Sequence, residues 1–212
     1  MRFDAIIVPR GAEASAVERG WPEARAILRS VPAGSGAGAQ FASGPVPATA
    51  LVLGVCGALD PALRVGDTVV YARIADGAEV IELDRELAAA CAAVCAVVPV
   101  GAANVASVVG EPAAKSALRA ATGAAAIDME AASIARVLHG RGVRVAMVRI
   151  VSDDALGSMP DLSNVYDRDG ALRPLALTLA LVRSPARSLR FVRHVVRALT
   201  VLRSTAARLA AA

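Results

Sequence analysis

The chain has 212 residues, of which 56% are hydrophobic and only 3% aromatic. It is long enough to bury one full core, which must be aliphatic and closely packed. Three cysteines (Cys56, Cys91, Cys95) and two histidines (His139, His194) have no metal-ligand spacing, so neither a metal centre nor a cofactor is expected. The odd thiol count, with no secretory signal at Met1-Arg2-Phe3-Asp4, points to a reducing cytoplasm. The net charge of +4 is unevenly spread: residues 170–212 carry eight arginines and no acids, and the first 169 carry 15 basic and 19 acidic residues. Any attraction to anionic surfaces therefore belongs to the C-terminal segment. Lys115 is the single lysine among 23 basic residues, a bias that by itself carries no functional reading.

In chain order, 5–8 reads as a buried strand, followed by a turn at Pro9-Arg10-Gly11 and a helix over about 13–28. Residues 30–47, rich in Gly, Ser and Pro, read as a loop. Strands are expected at 51–56, 68–74 and 80–83, then a helix at 84–95. The charge-free run 87–110 is long enough on paper to span a bilayer, but Pro99, Gly101, Asn104 and Ser107 interrupt it. It reads instead as the end of that helix followed by short strands at 96–100 and 105–108. Further on, helices are expected at 112–121 and 129–138, flanked by strands at 124–127 and 143–151. Two closing helices follow at about 171–182 and 185–210. Apolar strands alternating with helices define an α/β fold, one three-layer domain over 1–212 with a central, mostly parallel mixed sheet flanked by helices. The loop at 30–50 predicts a shortened sheet edge.

Ligands of such sheets gather at the carboxyl ends of the strands, which selects four places. After the first strand come Arg10 and Glu13. At the end of the second lie Val55, Cys56 and Gly57, where glycine lets a flat ring or a sugar approach the main chain. "AIDMEAASIA" (126–135) sets Asp128 and Glu130 at a strand-to-helix junction. Locally these two acids read either as a helix cap and a first-turn acid or, for Glu130, as a ligand for hydroxyl groups. "VRIVSDDA" (148–155) puts Ser152 and Asp153 just past an apolar strand, where a carboxyl of raised pKa can act as a proton donor.

Together, "VLGVCGALDPALRVGDTVV" (52–70), "AIDMEAASIA" and "VRIVSDDA" resemble, in order and spacing, the motifs of the nucleoside phosphorylase and nucleosidase superfamily. The resemblance implies that Glu130 accepts hydrogen bonds from ribose hydroxyls, with Met129 packed against the sugar. It further implies that Asp153 protonates the departing purine, that Ser152 orients Asp153, and that Val55, Cys56 and Gly57 line the pocket. Glu13 falls where hydrolytic members orient the attacking water. Phosphorolytic members hold phosphate with arginines and a serine near the second strand end, whereas Val52-Leu53-Gly54-Val55 offers neither. Arg10 alone could supply a charge there, which favours hydrolysis while leaving phosphorolysis open.

The segment from "SMPDLSNVYDRDG" to "RFVRHVVRAL" (158–199) resembles the tail of a subgroup associated with hopanoid biosynthesis. It implies adenosylhopane as substrate, with adenine released. A methylthioadenosine or adenosylhomocysteine nucleosidase, and a non-catalytic nucleoside- or lipid-binding relative, are the alternatives. In the last helix Leu189, Val192, Val196 and Leu199 share one face and Arg190, Arg193 and Arg197 another. That helix either packs on the sheet or meets anionic lipid at the inner face of the membrane. The resemblance also implies a homo-oligomer. Nucleic acid is not expected as a partner, because the arginine tail lacks interleaved aromatics.

Overall fold

The computed structural model describes residues 2–160, 165, 182 and 185–212. Eight strands and five α-helices are found among them. The strands are β1 (Ala5–Pro9), β2 (Leu28–Val31), β3 (Thr49–Ala58), β4 (Thr68–Asp76), β5 (Glu79–Glu82), β6 (Val100–Asn104), β7 (Ala126–Asp128) and β8 (Arg144–Asp153). The helices are α1 (Ala12–Gly20), α2 (Arg85–Cys95), α3 (Pro112–Thr122), α4 (Ala131–His139) and α5 (Pro185–Ala210). Apart from Val182, the helix expected at 171–182 lies outside the described residues.

The sheet is mixed. β1 pairs in parallel with β2 and β3, and β3 with β8. β6 is parallel to both β4 and β7, whereas β3–β7, β4–β8 and β4–β5 are antiparallel. These pairings close β3, β8, β4, β6 and β7 into a ring, with β1 and β2 extending from one side and β5 from another. Period-two alternation sends successive side chains to opposite faces. In β8, Val145, Met147 and Val151 pack with the apolar side of α4, while Ala146, Val148 and Ile150 pack with α1, α2 and α5. This gives the three-layer α/β arrangement expected from the sequence.

Three local expectations are corrected. The first helix stops at Gly20, because Pro22 has no N–H and pushes Trp21 out of the helical region (φ −139°, ψ 76°). Gly20 also lies where a Cβ would collide with the Arg203 carbonyl of α5. The chain then forms a short 3₁₀ turn and the edge strand β2, so the sheet keeps a strand where the sequence suggested the end of a helix and the start of a loop. The run 87–110 holds the end of α2 and one strand, not two. Ala96 closes α2 in the left-handed region (φ 56°), and β6 then spans Val100–Asn104. No helix among the described residues is long and apolar enough to cross a membrane.

The third correction concerns α5. Its C-terminal half packs through Ala198, Leu202, Ala206 and Leu209, and of the stripe picked out by spacing only Leu199 joins them. Leu189, Val192 and Val196 remain 65%, 46% and 58% exposed.

Candidate active site

The carboxyl end of β3 lies between two other strand ends. Gly57 is in register with Asp153 of β8 on one side and with Ile127 of β7 on the other. A bulge between Cys56 and Gly57 shifts the β8 register there, which re-aims the side chains at the strand end. Glycine is required at two points. A Cβ on Gly54 would stand 2.5 Å from Arg149 Nη1 and 2.7 Å from Glu13 Oε1. A Cβ on Gly57 would stand 3.0 Å from both Asp153 carboxylate oxygens. The small residues therefore clear space for charged side chains on both flanks of β3.

On the first flank, Arg149 of β8 is fully buried at a position where the strand otherwise carries aliphatic side chains. Its Nε donates to Asp128 Oδ2 at 2.8 Å, and the Tyr71 hydroxyl donates to the same oxygen at 3.1 Å. Asp128 Oδ1 accepts the backbone N–H groups of Glu130 and Ala131, each at 2.9 Å, so Asp128 caps α4 as its sequence position suggests. Burial pushes Asp128 up, but Arg149 and the two N–H donors hold it below the ordinary carboxylate range.

The Glu130 side chain makes no capping hydrogen bond. Its Oε1 accepts the Gly34 N–H at 2.6 Å, from the loop after β2. Gly34 has φ 84°, a left-handed conformation that favours glycine. The same loop approaches α4 closely at Gly38, where a Cβ would collide with the Ser133 carbonyl. Arg141 fastens the loop further on, donating to Phe41 O at 2.8 Å and Gly44 O at 2.6 Å. The Gly-rich stretch thus brings a donor to the site.

Glu13, in the first turn of α1, accepts the Val55 N–H at 2.8 Å. Burial first, and the neighbouring Glu130 second, push its carboxyl up to about 8, against the pull of Arg149. Glu130 rises to about 7 through burial and the charge of Asp128, again opposed by Arg149. One guanidinium thus faces three carboxyl groups, and its Nη1 and Nη2 are buried without a hydrogen-bond partner.

On the second flank, Asp153 pairs through Oδ2 with the Lys115 ammonium, which also donates to the Asp154 carbonyl at 2.7 Å. The Ser152 hydroxyl donates to Cys56 O at 3.0 Å and stands 3.4 Å from Asp153 Oδ1. Burial raises Asp153 above the ordinary range, against Lys115 and Ser152.

The structure therefore gathers Glu13, Glu130, Val55, Cys56, Gly57, Ser152 and Asp153 around one strand end. Met129 is half-buried beside Glu130. Arg10 follows β1 with its side chain exposed, and among the described residues nothing ties it to these carboxylates. Sequence reasoning missed Arg149, Tyr71 and Lys115. Arg149 was legible as the one charge in the apolar run 145–151, which demands a buried partner. Lys115 was visible as the one lysine, but nothing local indicated that it was buried.

The sequence profile of the phosphorylase superfamily matches residues 44–182. Solved structures with the same fold include the methylthioadenosine/S-adenosylhomocysteine nucleosidase of Campylobacter jejuni, with 17% identity, all of both chains covered and a TM-score of 0.70. A futalosine hydrolase mutant of Helicobacter pylori has 18% identity, 91% of this chain and 97% of its own covered, and a TM-score of 0.64. The S-adenosylhomocysteine nucleosidase of Streptococcus pyogenes, solved with 5-methylthiotubericidin, has 18% identity, 91% and 95% coverage, and a TM-score of 0.63. No curated protein is significantly similar in sequence.

Proposed function

The chain belongs to the phosphorylase superfamily, and from that premise we propose that it is an enzyme of nucleosidase type that hydrolyses the N-glycosidic bond of an adenine nucleoside. The carrying observation is the division of labour around β3: surplus carboxylate over Arg149 on one flank and a raised carboxyl against Gly57 on the other.

As the C1′–N9 bond breaks, its electron pair moves to the base and positive charge grows on the ribose. Asp153 gives its proton to the purine ring, so the base leaves neutral. General acid catalysis of this kind contributes about 10²–10⁴-fold. Glu130 accepts hydrogen bonds from the ribose hydroxyls, and the carboxylates around Arg149 favour the cation. Glu13 takes a proton from the water that adds to C1′. Burial favours the protonated forms of Glu13 and Glu130, and a sugar gaining positive charge favours their ionised forms.

The exposed position of Arg10 and the absence of a hydroxyl in 52–55 support water over phosphate as the acceptor. Assaying free adenine from adenosine, methylthioadenosine and adenosylhopane, with and without phosphate, tests this. Release that is independent of phosphate is expected. Release that requires phosphate and yields ribose 1-phosphate overturns hydrolysis.

The first half of α5 supports a substrate with a large apolar 5′ group, and adenosylhopane fits that description. Leu189, Val192 and Val196 are exposed there beside the exposed Arg190, Arg193 and Arg197. An apolar stripe flanked by arginines suits an anionic lipid surface. Replacing the three aliphatic residues by serine should release the protein from anionic vesicles and leave adenosine cleavage unchanged. Vesicle binding that survives the triple substitution refutes the lipid contact.

A further inference from the structure

Lys115 has no part in the chemistry set out above, yet it is the only fully buried side chain of α3. The remaining side chains of that helix are exposed or half-buried, so packing does not call for a lysine here. Burying an ammonium is costly unless it is paired and hydrogen-bonded. Its partners are Asp153 Oδ2 and the Asp154 carbonyl, and the Asp153 side chain keeps 14% exposure toward the cleft.

Resting on the cleavage reading above, we propose that Lys115 is a positioning residue that fixes the orientation and sets the acid strength of Asp153. By engaging Oδ2 it leaves Oδ1, on the Ser152 side, to present the proton. When the proton passes to the base, the O–H bond of Asp153 breaks, an N–H bond forms on the purine ring, and Lys115 keeps its own protons. The carboxylate left behind is then stabilised by a charge already in place, which needs no reorganisation at the moment of reaction.

Other charged or titratable groups also face Asp153. Asp154 follows it in the chain, the Cys56 thiol lies on β3, and Arg187, Arg190 and His194 of α5 line the adjoining cleft. Arg190 is engaged with Ser158 O at 2.6 Å and Arg187 with Glu111 at 3.4 Å. Among these groups Lys115 opposes the effect of burial on Asp153 most strongly.

The first arm of the test is the pH profile of adenosine cleavage. Activity needs protonated Asp153, so it falls as pH rises through the Asp153 pKa. Lys115→Met should move that limb up by about 1–3 pH units and lower the plateau kcat about tenfold or more, with little change in KM. The second arm uses the wild-type protein and needs no turnover. Because Lys115 is the only lysine, 15N-lysine labelling gives a single Nζ signal, which should shift as Asp153 titrates and lose that step in Asp153→Asn. A flat Nζ signal, or an unmoved limb in Lys115→Met while Asp153→Asn is inactive, overturns the inference and leaves the cleavage reading standing. Full activity in Asp153→Asn removes Asp153 as the proton donor and the role of Lys115 with it, whereas a wild-type protein that releases no adenine overturns the cleavage reading itself.

Discussion

Two ionic centres flank the end of β3, and they are balanced differently. Around Arg149 one cation faces three carboxyl groups, two of them raised to about 7 and 8. Around Asp153 one cation faces one carboxylate, with limited solvent access. A surplus of acid favours a ligand that develops positive charge, and a balanced pair suits a proton donor whose charge must be accommodated after transfer. The difference follows from which residues the strands present: β8 places Arg149 deep in the sheet and Asp153 at its bulged end.

The largest effect should come from removing the deeper cation. Arg149→Met leaves Asp128 buried and charged with only Tyr71 and two N–H groups for support. Breaking a buried pair in this way costs about 3–5 kcal/mol, readable as a lower urea midpoint. Lys115→Met should cost clearly less, because Asp153 is partly solvated and can take up a proton. Equal losses would remove the contrast between the two centres.

Kinetics should separate the flanks next. Asp153→Asn removes the proton donor and should lower kcat about 10²–10⁴-fold with KM little changed. Glu130→Gln keeps the shape but weakens hydrogen bonds to the ribose hydroxyls. Hydrogen bonds to charged groups contribute about 1.5–3 kcal/mol, so kcat/KM should fall about 10–100-fold with a raised KM. A Glu130→Gln variant that loses kcat alone would place that carboxylate in the chemistry and not in binding.

Much of this arrangement was legible in the sequence because strand ends are marked locally. Gly57, Asp128, Glu130, Ser152 and Asp153 all sit where an apolar run stops. Asp128 also could be read as a cap, since capping depends on neighbours in the chain. What escaped was long-range. Lys115 meets a residue 38 positions away and Gly34 one 96 positions away, and no periodicity encodes such pairs. The helix break at Gly20-Trp21-Pro22 was visible as residue types, but the apolar spacing from 13 to 28 runs across it. In α5 the exposed stripe and the packed stripe are both aliphatic, and the positions of α1, α2 and β8 decide which is buried.

The smallest effect is one of stability, and it runs opposite to function. Glu13 is an ordinary carboxyl near 4.5 in the unfolded chain and is pushed up to about 8 in the fold. The folded protein therefore holds a proton that the unfolded chain releases. The resulting stability is fully present below about 4.5 and is lost as pH rises through about 8. Glu13→Gln keeps an oxygen to accept the Val55 N–H and cannot ionise. It should melt at the same temperature as the wild type at pH 4, be the more stable of the two at pH 9, and lose hydrolysis. Identical melting across that window would mean that the fold does not hold Glu13 protonated, and the surplus-acid flank would then have to rest on Glu130 alone.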